Sequence, residues 1–160
     1  MSDSIQKLMG LLTLHKFKCV TAESCTGGMI AGAITDYAGS SSIFERGFVT
    51  YSNQAKHELL GVPNAHFTTV GAVSAEVAED MAAGALKNSH GHIAVSCTGI
   101  AGPGGATDEK PLGLVYIGVA FGDNVQSHKH IFDGDRDSVR AQTVEASVQH
   151  MIAQLESCPT

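Results

Sequence analysis

Apolar residues at Ile5, Leu8, Met9 and Leu12 follow the i, i+3, i+4, i+7 spacing of one helix face, so the chain opens on an amphipathic helix. The period then shortens, and Phe17–Glu23 predicts a short buried strand. Small and apolar residues fill Gly28–Tyr37 (Met29, Ile30, Ala31, Ala33, Ile34) and predict a helix that starts directly after a glycine turn. Phe44–Tyr51 predicts a second strand. Asn53 is placed to cap a short helix that runs to Leu60 and stops at Gly61. Val62–Gly71 reads as a loop. Ser74 caps a further helix, with Glu76, Glu79 and Asp80 early in it as the helix dipole favours, and this helix ends near Asn88.

Three more strands are expected, at Ile93–Cys97, Leu114–Phe121 and Val125–Phe132. The middle one is an unbroken apolar run, as a strand buried on both faces requires. The last reads as an edge strand after the turn Gly122-Asp123-Asn124. Ile100–Pro111 is a Gly/Pro-rich loop. Val144, Val148, Met151, Ile152 and Leu155 form one stripe of a final helix. Helices and strands interleave, which predicts an α/β fold: a single layered domain over residues 1–160, with a mixed β-sheet flanked by helices.

Composition narrows the class. At 160 residues, 43% hydrophobic and 16% charged, the chain is large enough for one ordinary soluble core. A formal net charge of −6 with scattered Lys and Arg argues against a nucleic-acid partner. No stretch is long and apolar enough to span a membrane. Met1-Ser2-Asp3-Ser4 has no basic signal-peptide start, so a cytoplasmic location is expected. The four cysteines lack C-x-x-C spacing and read as reduced, with Cys19, Cys25 and Cys97 in or near the core. His90-Gly-His92 and His128-Lys-His130 have no carboxylate or cysteine set to complete a shell, and no metal is expected.

The chemistry concentrates in a repeated tetrapeptide. Ser-Cys-Thr-Gly occurs at Ser24–Gly27 and at Ser96–Gly99, each time after an apolar run and before more glycine. Ser24 sits where a strand becomes a helix, beside Glu23 and Thr26-Gly27-Gly28. Such a turn can lift a hydroxyl out of the sheet edge, next to backbone N–H groups that would receive an oxyanion. It can equally be a helix cap. Alternation along the strand points Cys25 away from Ser24 and makes it structural.

A serine nucleophile needs a base, and no histidine lies in a glycine turn or beside an evident carboxylate. Lys56 stands in the first turn of its helix, where the dipole repels positive charge; if buried there, it would lose its proton near neutral pH. Tyr51 closes the preceding strand, near enough to share that proton. A solvated lysine beside a strand-end tyrosine is the plainer alternative. The second turn, Cys97 to Gly105, offers Thr98, Gly99, Gly102 and several N–H groups as a ligand cradle, without a P-loop lysine. Arg136 and Arg140 are four apart at the start of the last helix, so they can share a face and hold an anion, or pair with nearby Asp.

These segments resemble the CinA C-terminal domain family, whose characterised activity is nicotinamide-nucleotide amidohydrolysis. The match runs in family order through Thr21–Gly28, Gly47–Asn53 with Lys56, Leu60-Gly61-Val62, Gly71–Ser74, Ser96–Gly105 and Gly134-Asp135-Arg136 with Arg140. The resemblance implies a Ser-Lys-Tyr amidase: Ser24 as nucleophile, Lys56 as general base and Tyr51 as third member. Gly27, Gly28, Thr98, Gly99, Gly102, Arg136 and Arg140 would contact a mononucleotide. It further implies no cofactor and no metal, and a homodimer. The implied reaction converts nicotinamide mononucleotide to nicotinate mononucleotide and ammonia. Larger members carry a separate N-terminal domain, whose activity is expected to be absent from a chain that begins at the amidase part. Two other readings stay open: a non-catalytic nucleotide-binding module acting through a protein partner, as the family's association with competence and DNA damage suggests, and an amidase for another carboxamide.

Overall fold

In the computed structural model, which describes residues 1–159, five strands form one sheet in the order β2-β1-β3-β4-β5. They are β1 (Cys19–Glu23), β2 (Phe44–Val49), β3 (Ile93–Gly99), β4 (Leu114–Phe121) and β5 (Asn124–Ile131). β1 is parallel to both β2 and β3, whereas β3–β4 and β4–β5 are antiparallel. The sheet is therefore mixed, and the expected α/β layering is present. Six α-helices flank it: α1 (Ser2–His15), α2 (Met29–Thr35), α3 (Asn53–Leu60), α4 (Asn64–Thr68), α5 (Ala75–Lys87) and α6 (Arg136–Glu156).

Alternation along the strands sorts the core into two layers. Cys19, Ile93, Val95, Cys97, Val115, Ile117 and Val119 face α1, α2 and α6. Val20, Ala22, Ala94 and Ala120 face α3 and α5. The second layer is thin because its residues are small. A Cβ at Gly118 would lie 2.3 Å from the Ala78 carbonyl oxygen of α5, and one at Gly84 of α5 would lie 1.9 Å from that of Leu60 in α3. Bare backbone at these two positions lets the α5 layer seat closely.

Three local features differ from the pattern-based expectation. The cap of α3 is Ser52, not Asn53: Ser52 is extended, and its hydroxyl accepts from the Ala55 N–H at 3.0 Å. Asn53 becomes the first helical residue, and its side chain is left to the cleft described below. The segment Val62–Gly71 is not all loop, since α4 forms there as one short turn after Pro63. Phe44–Tyr51 pairs only as far as Val49, which leaves Thr50 and Tyr51 as a connection into α3.

The order 2-1-3 positions the site. From β1 the chain winds outward to β2, then returns past β1 to β3. The carboxyl ends of β1 and β3 thus lie side by side, with Glu23 opposite Cys97, where the two connections diverge. In open α/β sheets this switch point leaves a crevice between the departing loops.

Candidate active site

Both Ser-Cys-Thr-Gly turns open onto that crevice. A cleft of ≈ 210 Å³ is lined by Ser24, Tyr51, Asn53, Lys56, Thr98 and Arg136, with Cys25, Ala72, Val73, Gly99 and Ala101 completing its walls. Ser24 follows β1 directly, and its N–H donates to the Cys97 carbonyl at 3.1 Å, so the Ser24 turn is stitched to β3. Gly27 (φ 57°) and Gly28 (φ 105°) then reverse the chain in left-handed conformations that favour glycine.

Lys56 is only 2% exposed, although it is a lysine in a short surface helix. Its Nζ lies 2.9 Å from Ser24 Oγ, 2.9 Å from the Thr50 carbonyl oxygen and 3.4 Å from that of Tyr51. No carboxylate is among these contacts. Burial, opposed by the nearby thiols of Cys25 and Cys97, holds the ammonium below its ordinary value. As an ammonium, Nζ donates to all three oxygens; as a neutral amine it would keep two N–H groups for the carbonyls and turn its lone pair to the Ser24 hydroxyl.

Tyr51 enters differently from the expectation. Tyr51 is 62% exposed, and its hydroxyl accepts from Arg136 Nη2 at 3.2 Å. The link from Tyr51 to Lys56 is its carbonyl oxygen, not its phenol. Arg136 also donates to the Gly102 carbonyl at 2.8 Å, joining the β2–α3 connection, the second glycine loop and α6 across the cleft mouth. Arg140 turns away from the cleft: Nε donates to the Cys25 carbonyl at 3.1 Å and Nη2 to that of Thr26 at 3.2 Å. The two arginines therefore do not form one anion clamp.

The remaining binding candidates divide. Thr98 and Gly99 line the cleft, though the Thr98 hydroxyl already donates to the Ala72 carbonyl at 2.8 Å. Gly27, Gly28 and Gly102 shape the loops around the cleft and do not line it. Ser96, the counterpart of Ser24 in the second turn, is fully buried and donates to the Ala78 carbonyl. All four thiols are free. The neighbouring Cys97 side chain and burial push the Cys25 thiol well above the usual range, so it stays a protonated wall residue.

Glu23, which the motif reading leaves without a role, braces the Ser24 turn. It is fully buried, and its carboxylate accepts from Thr26 Oγ1 at 2.6 Å, Ile30 N–H at 2.8 Å and Ala31 N–H at 3.0 Å. The sequence carries a signal for it: an acidic residue ends an otherwise uncharged buried strand, immediately before a helix N-terminus that favours negative charge.

The profile of the CinA C-terminal domain family matches residues 2–155. The chain belongs to the CinA C-terminal domain family. A protein of Enterobacter agglomerans named nicotinamide-nucleotide amidohydrolase PncC is 55% identical over 129 residues, which cover 80% of this chain and 79% of that protein. A Caldicellulosiruptor bescii protein with a provisional competence-damage name is 52% identical over 141 residues, covering 88% of this chain and 34% of its own length. The chain thus spans about a third of such longer CinA relatives. The crystal structure of the competence/damage inducible protein CihA from Agrobacterium tumefaciens superposes with a TM-score of 0.93 at 44% identity, covering 97% of this chain and 94% of that one. Among the described residues, no group of three or more His, Cys, Asp or Glu is arranged to hold a metal ion, and no helix is long and apolar enough to cross a membrane.

Proposed function

We propose that this CinA-family chain is a serine amidohydrolase that converts nicotinamide mononucleotide to nicotinate mononucleotide and ammonia. The observation that carries the reading is the 2.9 Å approach of a buried, carboxylate-free Lys56 Nζ to Ser24 Oγ at the floor of the cleft. The relative named as a nicotinamide-nucleotide amidohydrolase supports the choice of substrate.

Lys56 takes the Ser24 proton as Oγ attacks the carboxamide carbon. The amine then returns the proton to the departing nitrogen, and ammonia leaves an acyl-serine. Water adds to the acyl carbon with Lys56 again as base, releasing the carboxylate and restoring Ser24. The pyridinium draws electrons from the carboxamide, and its positive charge favours a neutral lysine beside it. Arg136, which lines the cleft, is the cation assigned to the phosphate in this reading. Tyr51 is the third member through its carbonyl, which orients the amine, and through its phenol, which holds Arg136.

The proposed reaction uses no metal and no cofactor. It belongs to the salvage of pyridine nucleotides in the cytoplasm, by a homodimer that light scattering would register at twice the 16.6 kDa chain mass. Ammonia release by the purified protein is the direct test. Ser24→Ala lowers it by about 10³-fold or more, as removal of a covalent nucleophile does. Unchanged turnover in that variant excludes the mechanism, and tight mononucleotide binding without any turnover in the parent points to a binding module instead.

A further inference from the structure

The turn that carries Ser24 is held by two opposite charges acting on opposite sides of its backbone. On one side Glu23 gathers donors, accepting from the Thr26 hydroxyl and from the first N–H groups of α2 at Ile30 and Ala31. On the other side Arg140 reaches carbonyls, donating to Cys25 and Thr26. Arg140 lies 115 residues beyond Cys25 and belongs to α6, so the contact is tertiary. Thr26 is gripped at both ends, by its hydroxyl and by its carbonyl.

We propose that Glu23 and Arg140 are positioning residues that set Ser24 Oγ against Lys56, and that Arg140 is not a substrate-phosphate ligand. This rests on the reading of Ser24 as the nucleophile. Two N–H groups of the Arg140 guanidinium are engaged by carbonyls, and its side chain does not line the cleft, whereas that of Arg136 does. Charge-assisted hydrogen bonds are stronger and geometrically tighter than neutral ones, which suits a device for fixing a backbone turn. Gly27 and Gly28 have left-handed φ and no side chains to brace the turn, so its stiffness must come from neighbours. A shift of about 1 Å at a reacting atom can slow a step by about 10²-fold.

Three variants test the pair. Glu23→Gln keeps the shape but faces one helix N–H with an amide donor. Arg140→Lys keeps the charge but loses the fork that spans two carbonyls. Arg140→Met removes both. Two readouts are taken: kcat and KM with nicotinamide mononucleotide, and the rate at which a small fluorophosphonate labels Ser24, followed by intact mass without any nucleotide.

The expected result is a fall in kcat of about 10- to 100-fold with KM within about twofold, and labelling slowed in parallel. In contrast, Arg136→Ala raises KM. A rise in KM with unchanged kcat for the Arg140 variants makes Arg140 a substrate ligand and overturns the proposal, as does labelling at the parent rate. Should the parent not deamidate nicotinamide mononucleotide, the proposed substrate fails while the labelling rates still decide the positioning role. A parent whose Ser24 is not labelled at all removes the premise. If Glu23→Gln does not fold, the two variants at half-buried Arg140 carry the test.

Discussion

Lys56 is a buried amine in a short surface helix, a liability to the fold that the proposed mechanism turns to use. Burial of an amine without a counter-carboxylate favours its neutral form, and the ordinary lysine value of 10.5 is lowered for that reason. In the proposed mechanism the active form is the neutral amine, so activity is expected to rise with pH as Lys56 loses its proton. The expected kcat/KM profile has an ascending limb with a midpoint below 10.5, measured by ammonia release across pH. Lys56→Arg keeps a cation that cannot deprotonate and lowers kcat by about 10²- to 10⁴-fold, the range of a lost general base. A flat profile in the parent would assign the base elsewhere. A strand end and a helix start mark Ser24 and Lys56 as candidates, but that pattern equally allows a helix cap and a solvated lysine; the family resemblance singles the two out, and their 2.9 Å approach is what the structure adds. The contacts of Arg140 were not legible in the sequence: spacing reveals that two arginines share a helix face, but not that a carbonyl pair from a distant turn takes one of them. The direction of the Tyr51 phenol was hidden similarly, because its partner comes from α6.

At the scale of elements, the strands and the long helices follow from periodicity, and what periodicity leaves out are contacts between elements. The histidines of β5 illustrate this. They read as edge-strand residues, yet His130 Nε2 lies 2.8 Å from His150 Nε2 of α6, and the His128 ring stacks on His150 with centroids 3.8 Å apart. Burial, with His128 and His130 beside it, pushes His150 down to about 4. The unfolded chain therefore binds a proton here that the folded chain refuses between about pH 6.5 and pH 4. This contribution to stability is complete above the unfolded value and is lost as pH falls through that window. Thermal melts should show a lower Tm at pH 5 than at pH 7, and His150→Phe should flatten that slope. The close seat of α5 gives a second expectation. Gly84→Ala drives a methyl against the Leu60 carbonyl and should destabilise the fold by about 1–3 kcal/mol in denaturant titration, because backbone cannot move aside as a side-chain tip can. The short helix α4 and the Ser52 cap escaped the pattern because a single helical turn has no period to detect.

For the whole molecule, the cleft exists only when the complete topology is in place. Ser24 follows β1, Tyr51 and Lys56 lie between β2 and α3, Thr98 ends β3, and Arg136 opens α6. These residues span most of the chain, and the unfolded polypeptide holds no fragment of the site with useful affinity. A ligand that bridges them binds the native state alone and stabilises it by mass action. At a concentration 100 times its Kd this amounts to about 2.7 kcal/mol. For a chain of this size, each kcal/mol raises Tm by about 2–4 °C, so a shift of roughly 5–11 °C is expected. Ser24→Ala is the form in which to measure it, because the variant keeps the walls and Arg136 while the substrate survives the scan. Nicotinamide mononucleotide should produce the full shift, whereas nicotinamide and inorganic phosphate, each reaching one end of the cleft, should produce little at the same concentration. An equal shift with phosphate alone would mean that the anion subsite dominates, and no shift with the nucleotide would remove it as the ligand of this cleft.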